Sequence, residues 1–351
     1  MERPWLPPVW LARRIERVRN ALQLAQRRST LPPVALLELA MGAWLSQALV
    51  AAAELGVADA LAQGPRTVAQ LARELEVDED SLARLLRALS AHGVFVERAG
   101  SYAQNALSRH LRSDVPDSLR AYLLFLGHPK HRAQWSALAQ RVRGGRSERP
   151  FFDALRADRE LGAVFDEGMS SLSRLGSRAT EVYDFARFTT IVDVGGGRGE
   201  NLLGVLRGAP ASRGVLFDLP EVIAHALAHE RMQVEGGSFF ERVPEGGDAY
   251  VLKHILHDWA DEHALAILRN VRRAMPPHGT LVLLESVVPT GAEPHLAKLI
   301  DLEMMVIDGK ERSEPEWRTL LQRAGFTLEQ IIETAGPVCI LEARLSDTSG
   351  A

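Results

Sequence analysis

One histidine, three acids and a run of glycines carry the chemistry that can be read from this chain. His257 lies in Leu252-Lys253-His254-Ile255-Leu256-His257-Asp258-Trp259, directly after an apolar segment with strand character. Imidazole has a reference pKa of about 6.5, so the expectation is a mostly neutral ring at neutral pH, able to take a proton. Asp193-Val194-Gly195-Gly196-Gly197-Arg198-Gly199 follows a strand and opens a helix. That is the context of a nucleotide-binding turn, because glycines reach positive φ and let the backbone approach a ligand. Its D-x-G-x-G-x-G spacing differs from the G-x-G-x-x-G of dinucleotide enzymes, which weakens an NAD reading. Asp218, in Leu216-Phe217-Asp218-Leu219-Pro220, ends the next strand. A carboxylate there can accept both hydroxyls of a ribose, or simply cap a helix that starts at Pro220. Glu285 ends a later strand and Glu311 lies in Asp308-Gly309-Lys310-Glu311-Arg312. Either acid can orient an imidazole and stabilise its charged form, although each taken singly reads more readily as a solvated loop acid than as a catalytic one.

The elements that must hold these residues fall into two textures. From Thr189 onward, short apolar strands (189 to 194, 215 to 218, 249 to 252 and 280 to 285) alternate with helices. Such alternation implies a doubly wound, mostly parallel sheet whose ligands sit at the carboxyl ends of its strands. Residues from about 10 to 160 read instead as helix after helix. Thr67 caps one helix through Val68, Leu71 and Leu75, and Asp78 and Asp80 begin another through Leu82, Leu85, Leu86 and Leu89. Gly93 ends that helix, and Val94 to Glu97 with Gly100 and Tyr102 reads as a small hairpin. Helix, turn, helix, hairpin is a winged-helix pattern. It can read DNA through residues 81 to 91 with Arg84 and Arg87, but two arginines beside Asp78, Glu79 and Asp80 favour a dimerisation scaffold. Leu36 to Ala53 is almost wholly apolar, at the lower limit for a membrane span. The flanking Pro32 and Pro33 and its small residues favour a core or dimer-interface helix.

Composition sets the outer bounds. A chain of 351 residues predicts about two domains. With 46% hydrophobic and 25% charged residues, the chain is an ordinary globular one, neither disordered nor multi-spanning. A net charge of −4 gives no basis for a polyanion-binding surface. Cys339 is the single cysteine, so no internal disulfide is possible, which fits a reducing cytoplasm. Trp5 and Trp10 precede the Arg13, Arg14 and Arg17 cluster, the reverse of a signal peptide.

Six ordered motifs, D-V-G-G-G-R-G, F-D-L-P-E-V-I, G-G-S-F-F, L-K-H-I-L-H-D-W-A-D-E-H, L-L-E-S-V-V-P and D-G-K-E-R-S, resemble the S-adenosylmethionine-dependent O-methyltransferases. The likeness is to the caffeate type of plants and to bacterial relatives in antibiotic biosynthesis, over nearly the whole chain. It implies an α/β fold class: a C-terminal Rossmann-like methyltransferase domain over 179–351, and an N-terminal all-helical, winged-helix dimerisation domain over 1–178. It further implies that Asp193, Gly195, Gly197, Asp218, Leu219, Ser238, Phe239 and Lys253 bind S-adenosylmethionine. His257 falls on the family's general base, with Glu285 and Glu311 on the acids that flank it. Phe165, Met169, Ile255, Asp301 and Met305 fall where the family lines its acceptor pocket. Two positions depart from the plant pattern: Arg198 replaces Thr in the glycine turn, and Ser238 stands where many members carry Asp.

A phenol, with a pKa of about 10, suits a histidine base better than an aliphatic alcohol does. The expected acceptor is therefore a small aromatic or polyketide-like molecule with a phenolic or enolic hydroxyl. No clustered set of hard oxygen ligands is visible, so a metal-free reaction is expected. A homodimer with no nucleic-acid or membrane partner completes the expectation. Two other readings stay open: a cofactor-binding relative that decarboxylates, hydroxylates or runs a pericyclic step, and a winged-helix regulator that senses a metabolite.

Overall fold

The computed structural model describes residues 8–145, 151–176, 182–336 and 338–346. They form two compact units, one of Met1–Ala21, Gly144–Glu148 and Gly176–Ala351, the other of Leu22–Arg143 and Arg149–Leu175. The expected boundary between 178 and 179 lies outside the described residues.

The first unit is built on a seven-stranded sheet. Its strands are β1 (Thr190–Val194), β2 (Arg213–Asp218), β3 (Met232–Gly236), β4 (Ala249–Lys253), β5 (Thr280–Ser286), β6 (Phe326–Glu333) and β7 (Val338–Leu345). Their spatial order is β3-β2-β1-β4-β5-β7-β6. The first five run parallel, and β7 is antiparallel to both β5 and β6. All seven residues of β5 are buried, as a strand covered on both faces must be. Alternate residues of β1 point to opposite faces. Val192 and Val194 join Tyr250, Leu283 and Trp317 in one core, and Ile191 joins Leu216, Val251 and Ile340 in the other. The chain moves outward from β1 through β2 to β3, then returns to lay β4 on the other side of β1. That reversal opens a crevice at the carboxyl ends of β1 and β4, where ligands bind in doubly wound sheets.

The second unit is helical with a three-stranded wing. Arg66–Thr67, Val96–Arg98 and Ser101–Ala103 pair antiparallel with Ser101–Ala103 in the centre, so the unit is not entirely helical. Thr67 makes a full capping box with Gln70 at the start of Val68–Leu75. The Asp78 carboxylate accepts from Ser81 N–H at 2.8 Å and caps Glu79–Ala91, both as the side-chain chemistry requires. Leu71, Leu82, Leu86 and Leu89 form the core with Phe95 and Tyr102 of the wing. The apolar helix Pro32–Glu54 buries only Val50, Ala52 and Ala53. Within one protomer it is a core helix only at its last turns, while Leu36 and Trp44 are each 69% exposed. It is also, among the described residues, the one helix long and apolar enough to cross a membrane.

Candidate active site

Beyond β1 the chain takes positive φ at Gly195 (71°), Gly197 (61°) and Gly199 (92°), conformations that side chains with a Cβ resist. A Cβ on Gly195 would lie 2.5 Å from Ile255 Cδ1, and one on Gly196 would lie 2.8 Å from the Asp193 carboxyl carbon. The inner side of this turn is therefore closed by packing. At Gly197 a Cβ would meet nothing within 4 Å, so the outer side is open to a ligand. Asp218 holds the turn to β2: its carboxylate accepts from Gly197 N–H at 2.8 Å and from Leu219 N–H at 2.7 Å. Burial raises the Asp218 pKa, and the two N–H donors work against the rise.

Asp193 lies beneath the turn, 1% exposed. Asn201 Nδ2 donates to its Oδ2 at 3.3 Å, while Oδ1 has no partner. Burial pushes its pKa up to about 6, opposed by Asn201 and by Lys253. The same burial lowers the Lys253 pKa, with Asp193 and Glu200 holding its charge. Ser238 Oγ accepts from Phe240 N–H at 3.3 Å, which leaves its hydroxyl proton to donate. An edge carbon of Phe239 reaches 3.5 Å from the Gly195 Cβ position, on the side that Ile255 also packs. Arg198 turns outward and donates to His225 O at 3.2 Å. The open turn, the ribose-competent carboxylate and the apolar ring beside them fit an adenosyl cofactor.

The end of β4 builds the second half of the site. His254 takes φ of 53°, uncommon for a residue with a side chain, and turns the chain into a short 3-10 helix over Leu256–Asp258. Glu285, fully buried on β5, secures this turn by accepting from Ile255 N–H (3.1 Å) and Leu256 N–H (2.9 Å) at Oε1. Its Oε2 has no hydrogen-bond partner and lies 3.8 Å from His257 Nδ1 and 3.9 Å from His254 Nδ1. Glu311, 54 residues along the chain, accepts from His257 Nδ1 at 2.8 Å. A carboxylate acceptor there places the proton on Nδ1 and assigns Nε2 as the atom that can take another. Asp258 Oδ1 stands 3.3 Å from Nε2, and Asp301 Oδ1 accepts from Glu311 N–H at 3.0 Å.

Burial alone would lower the His257 pKa, but Asp258, Glu285 and the hydrogen-bonded Glu311 outweigh it and raise the value to about 10. The expectation of a neutral ring at neutral pH is thus corrected. Three carboxylates in a dry site attract the proton more strongly than burial repels it. Burial in turn raises Glu285 to about 7 and Asp258 to about 6, with the His257 charge opposing both. The His254 pKa is lowered by burial, by His257 and by Lys253. His254, His257 and Glu285 each offer an atom within 4.8 Å of the others, the spacing at which a metal ion could be held among the described residues.

The expected acceptor-lining residues fall in both units. Phe165 belongs to the helical unit and packs edge-on to Phe125 (5.3 Å) and Phe151 (5.5 Å). Met169 lies one turn further on the same helix, half-buried. Ile255, Asp301 and Met305 belong to the sheet unit, where Ile255 packs on the glycine turn and Asp301 holds Glu311. Sequence reasoning missed Asp258, His254 and Arg312. The first two adjoin His257 in sequence, so their proximity was visible, but their orientation was not. Arg312 gives no sequence signal beyond being next to Glu311.

Residues 135–327 match the O-methyltransferase domain, and residues 37–114 match the O-methyltransferase dimerisation domain. The chain is 38% identical over 325 residues to the phenazine O-methyltransferase PhzM of Lysobacter antibioticus, covering 88% of this chain and 95% of that protein. The crystal structure of LaPhzM superposes with a TM-score of 0.83 at 36% identity, covering 90% of this chain and all (100%) of the other. NcsB1 of neocarzinostatin biosynthesis, crystallised with S-adenosylmethionine and 2-hydroxy-5-methyl naphthoic acid, gives a TM-score of 0.70 at 33% identity, over 86% and 96% of the two chains. The chain belongs to the family of S-adenosylmethionine-dependent O-methyltransferases. It is an enzyme that moves a methyl group from S-adenosylmethionine to a hydroxyl oxygen, with a helical dimerisation domain joined to a mostly parallel α/β domain.

Proposed function

We propose that the acceptor is a small aromatic or polyketide-like molecule of secondary metabolism, methylated at a phenolic or enolic hydroxyl, with His257 holding the proton that this hydroxyl gives up. The observation that carries the reading is the His257 pair: Nδ1 is committed to Glu311 at 2.8 Å, so the chemistry falls to Nε2. The acceptor hydroxyl takes the place beside Nε2 that Asp258 otherwise faces. A phenol, with a pKa of about 10, and His257, raised far above an ordinary imidazole by Asp258, Glu285 and Glu311, are close enough in proton affinity to share one proton. The reactive complex is an imidazolium beside an oxyanion. An already acidic hydroxyl enters as the anion, whereas a neutral phenol requires the site to lose one proton first. Aliphatic alcohols are too weakly acidic to share the proton in this way. The named acceptors of similar proteins, a phenazine and a hydroxynaphthoic acid, have the chemistry this pairing favours.

Asp218 would take the ribose hydroxyls, the open side of Gly195 to Gly199 the amino-acid part, and Ser238 and Phe239 the adenine, with Asp193 and Lys253 beneath. When bound, S-adenosylmethionine would supply the sulfonium methyl; the acceptor oxygen bonds to that carbon in line as the carbon–sulfur bond breaks, and neutral S-adenosylhomocysteine leaves. The residues supply alignment and proton handling, and His257 contributes about 10²–10⁴-fold. No metal is needed for this, since Nδ1 of His257 is engaged by Glu311 and the proton acceptor is the imidazole itself. We assign dimerisation to the exposed apolar face of Pro32–Glu54 meeting a second copy, within a cytoplasmic enzyme that has no nucleic-acid or membrane role. In this reading residues 1–178 carry assembly and 179–351 carry chemistry.

The test is His257→Ala with a phenolic acceptor, assayed with and without EDTA. Cofactor affinity by calorimetry should stay within a few-fold of wild type while kcat falls by about 10²–10⁴-fold. Wild-type turnover should be indifferent to the chelator. Turnover that survives in the variant would remove His257 from the proton step.

A further inference from the structure

The loops that carry His257 and Glu311 are tied together by one fully buried cation. Arg312 has 0% exposure, and each of its five N–H donors has an acceptor. Nε donates to Asp261 Oδ1 at 3.0 Å, and Nη2 donates to the same oxygen at 2.8 Å. The second Nη2 proton goes to Trp259 O at 2.9 Å, and the two Nη1 protons go to Leu256 O (2.9 Å) and Lys310 O (3.2 Å). Leu256 and Trp259 bracket His257 and Asp258, and Lys310 immediately precedes Glu311. The backbone of Arg312 joins the third acid-bearing segment: its carbonyl accepts from Val288 N–H at 3.0 Å just beyond β5, the strand of Glu285. Lys310 N–H closes the assembly by donating to His257 O at 2.7 Å. The Trp317 ring lies against the guanidinium, 5.2 Å from centroid to Cζ. Gly309 fits here because a Cβ would collide with His257 O.

From this arrangement we propose that Arg312 is a positioning residue for methyl transfer: its guanidinium sets the distance between His257 and Glu311 by holding the carbonyls on either side of the base and the one next to the acid. A planar cation with five fixed donors suits this work, and a lysine ammonium, with three donors on a flexible stem, does not. Arg312 touches neither reactant. Its effect is confined to the alignment of His257, and misplacements of about 1 Å in such groups lower rates by about 10²-fold. Arg312 makes no hydrogen bond to the glycine turn or to Asp218, so cofactor affinity is the internal control.

The test compares Arg312→Ala, Arg312→Lys and Asp261→Asn in the full chain with a phenolic acceptor. Arg312→Ala should lose about 10²-fold in kcat, with the dissociation constant for S-adenosylmethionine within about threefold of wild type. Guanidinium chloride at millimolar concentration should restore at least tenfold of that loss by filling the vacated space, and it should leave wild type unchanged. Should Arg312→Ala not fold, Arg312→Lys and Asp261→Asn replace it, and both should show reduced kcat with unchanged cofactor affinity. The proposal is overturned if all folded variants keep wild-type kcat, or if kcat and cofactor affinity fall together. It is also overturned if guanidinium restores nothing to a folded Arg312→Ala enzyme. Turnover surviving in His257→Ala would sink the base assignment on which this rests, and the two failures are read from different variants.

Discussion

The two halves of the crevice are built in opposite ways. On the cofactor side, backbone does most of the work: three glycines at positive φ, and a carboxylate fastened by two backbone N–H groups, one from the adjacent Leu219 and one from the glycine turn itself. On the base side, side chains from three separate segments converge on one imidazole, and the outcome is an altered proton affinity. The first half is a shape and the second an electrostatic balance. A shape tolerates loss of one polar contact at the cost of affinity, whereas a balance moves its set point when any member changes.

Changes to the charges on each side sharpen that contrast. The largest effect beyond removal of the base itself is expected at Asp193. Its folded pKa, about 6, stands above the ordinary value of 3.8, so the folded state binds the proton more tightly than the unfolded one. The resulting stability is fully present below about pH 4 and is lost as the pH rises through 6. Asp193→Asn removes this dependence, and at pH 8 the variant should be more stable than wild type by about 2–3 kcal/mol. Thermal melts at pH 5 and pH 8 measure it, and an equal pH dependence in both proteins would contradict the burial argument.

A smaller effect follows at Asp218. Asp218→Ala should raise the dissociation constant of S-adenosylmethionine by about 10–100-fold, the scale of hydrogen bonds to a charged group. At saturating cofactor, kcat should stay close to wild type. Calorimetry and saturation kinetics separate the two quantities, and a lowered kcat at saturation would erase the division between the halves.

The subtlest change belongs to the base side. The groups facing His257 are His254, Asp258, Glu285 and Glu311, and Glu311→Gln removes one of the three charges that raise its pKa. The rising limb of the kcat/KM profile reports loss of the His257 proton, so in Glu311→Gln that limb should move to lower pH by about one unit. Maximal activity should fall as well. A limb that stays in place would assign it to another group.

How much of this was legible in the chain follows the same division. Gly195, Gly197, Asp218 and His257 stand at strand ends, and strand ends announce themselves by apolar runs followed by turn residues. The winged helix was legible for a similar reason, since Thr67 and Asp78 cap helices within three residues of themselves. The helix Pro32–Glu54 was legible as apolar, but its exposure was not, because burial depends on what packs against it. The charge state of His257 was misjudged because a reference pKa describes an imidazole in water, and Glu285 and Glu311 were visible only as isolated acids.

The sequence by itself determined the family, the order of strands and turns, and the residue types at the crevice, because these are set by local pattern and by contiguous motifs. The tertiary structure alone decided that His257 is charged at neutral pH and that Arg312 spans its loop. Both depend on groups far apart in the chain meeting within hydrogen-bond distance. There, water no longer screens their charges, and a buried donor must find its acceptor within the protein.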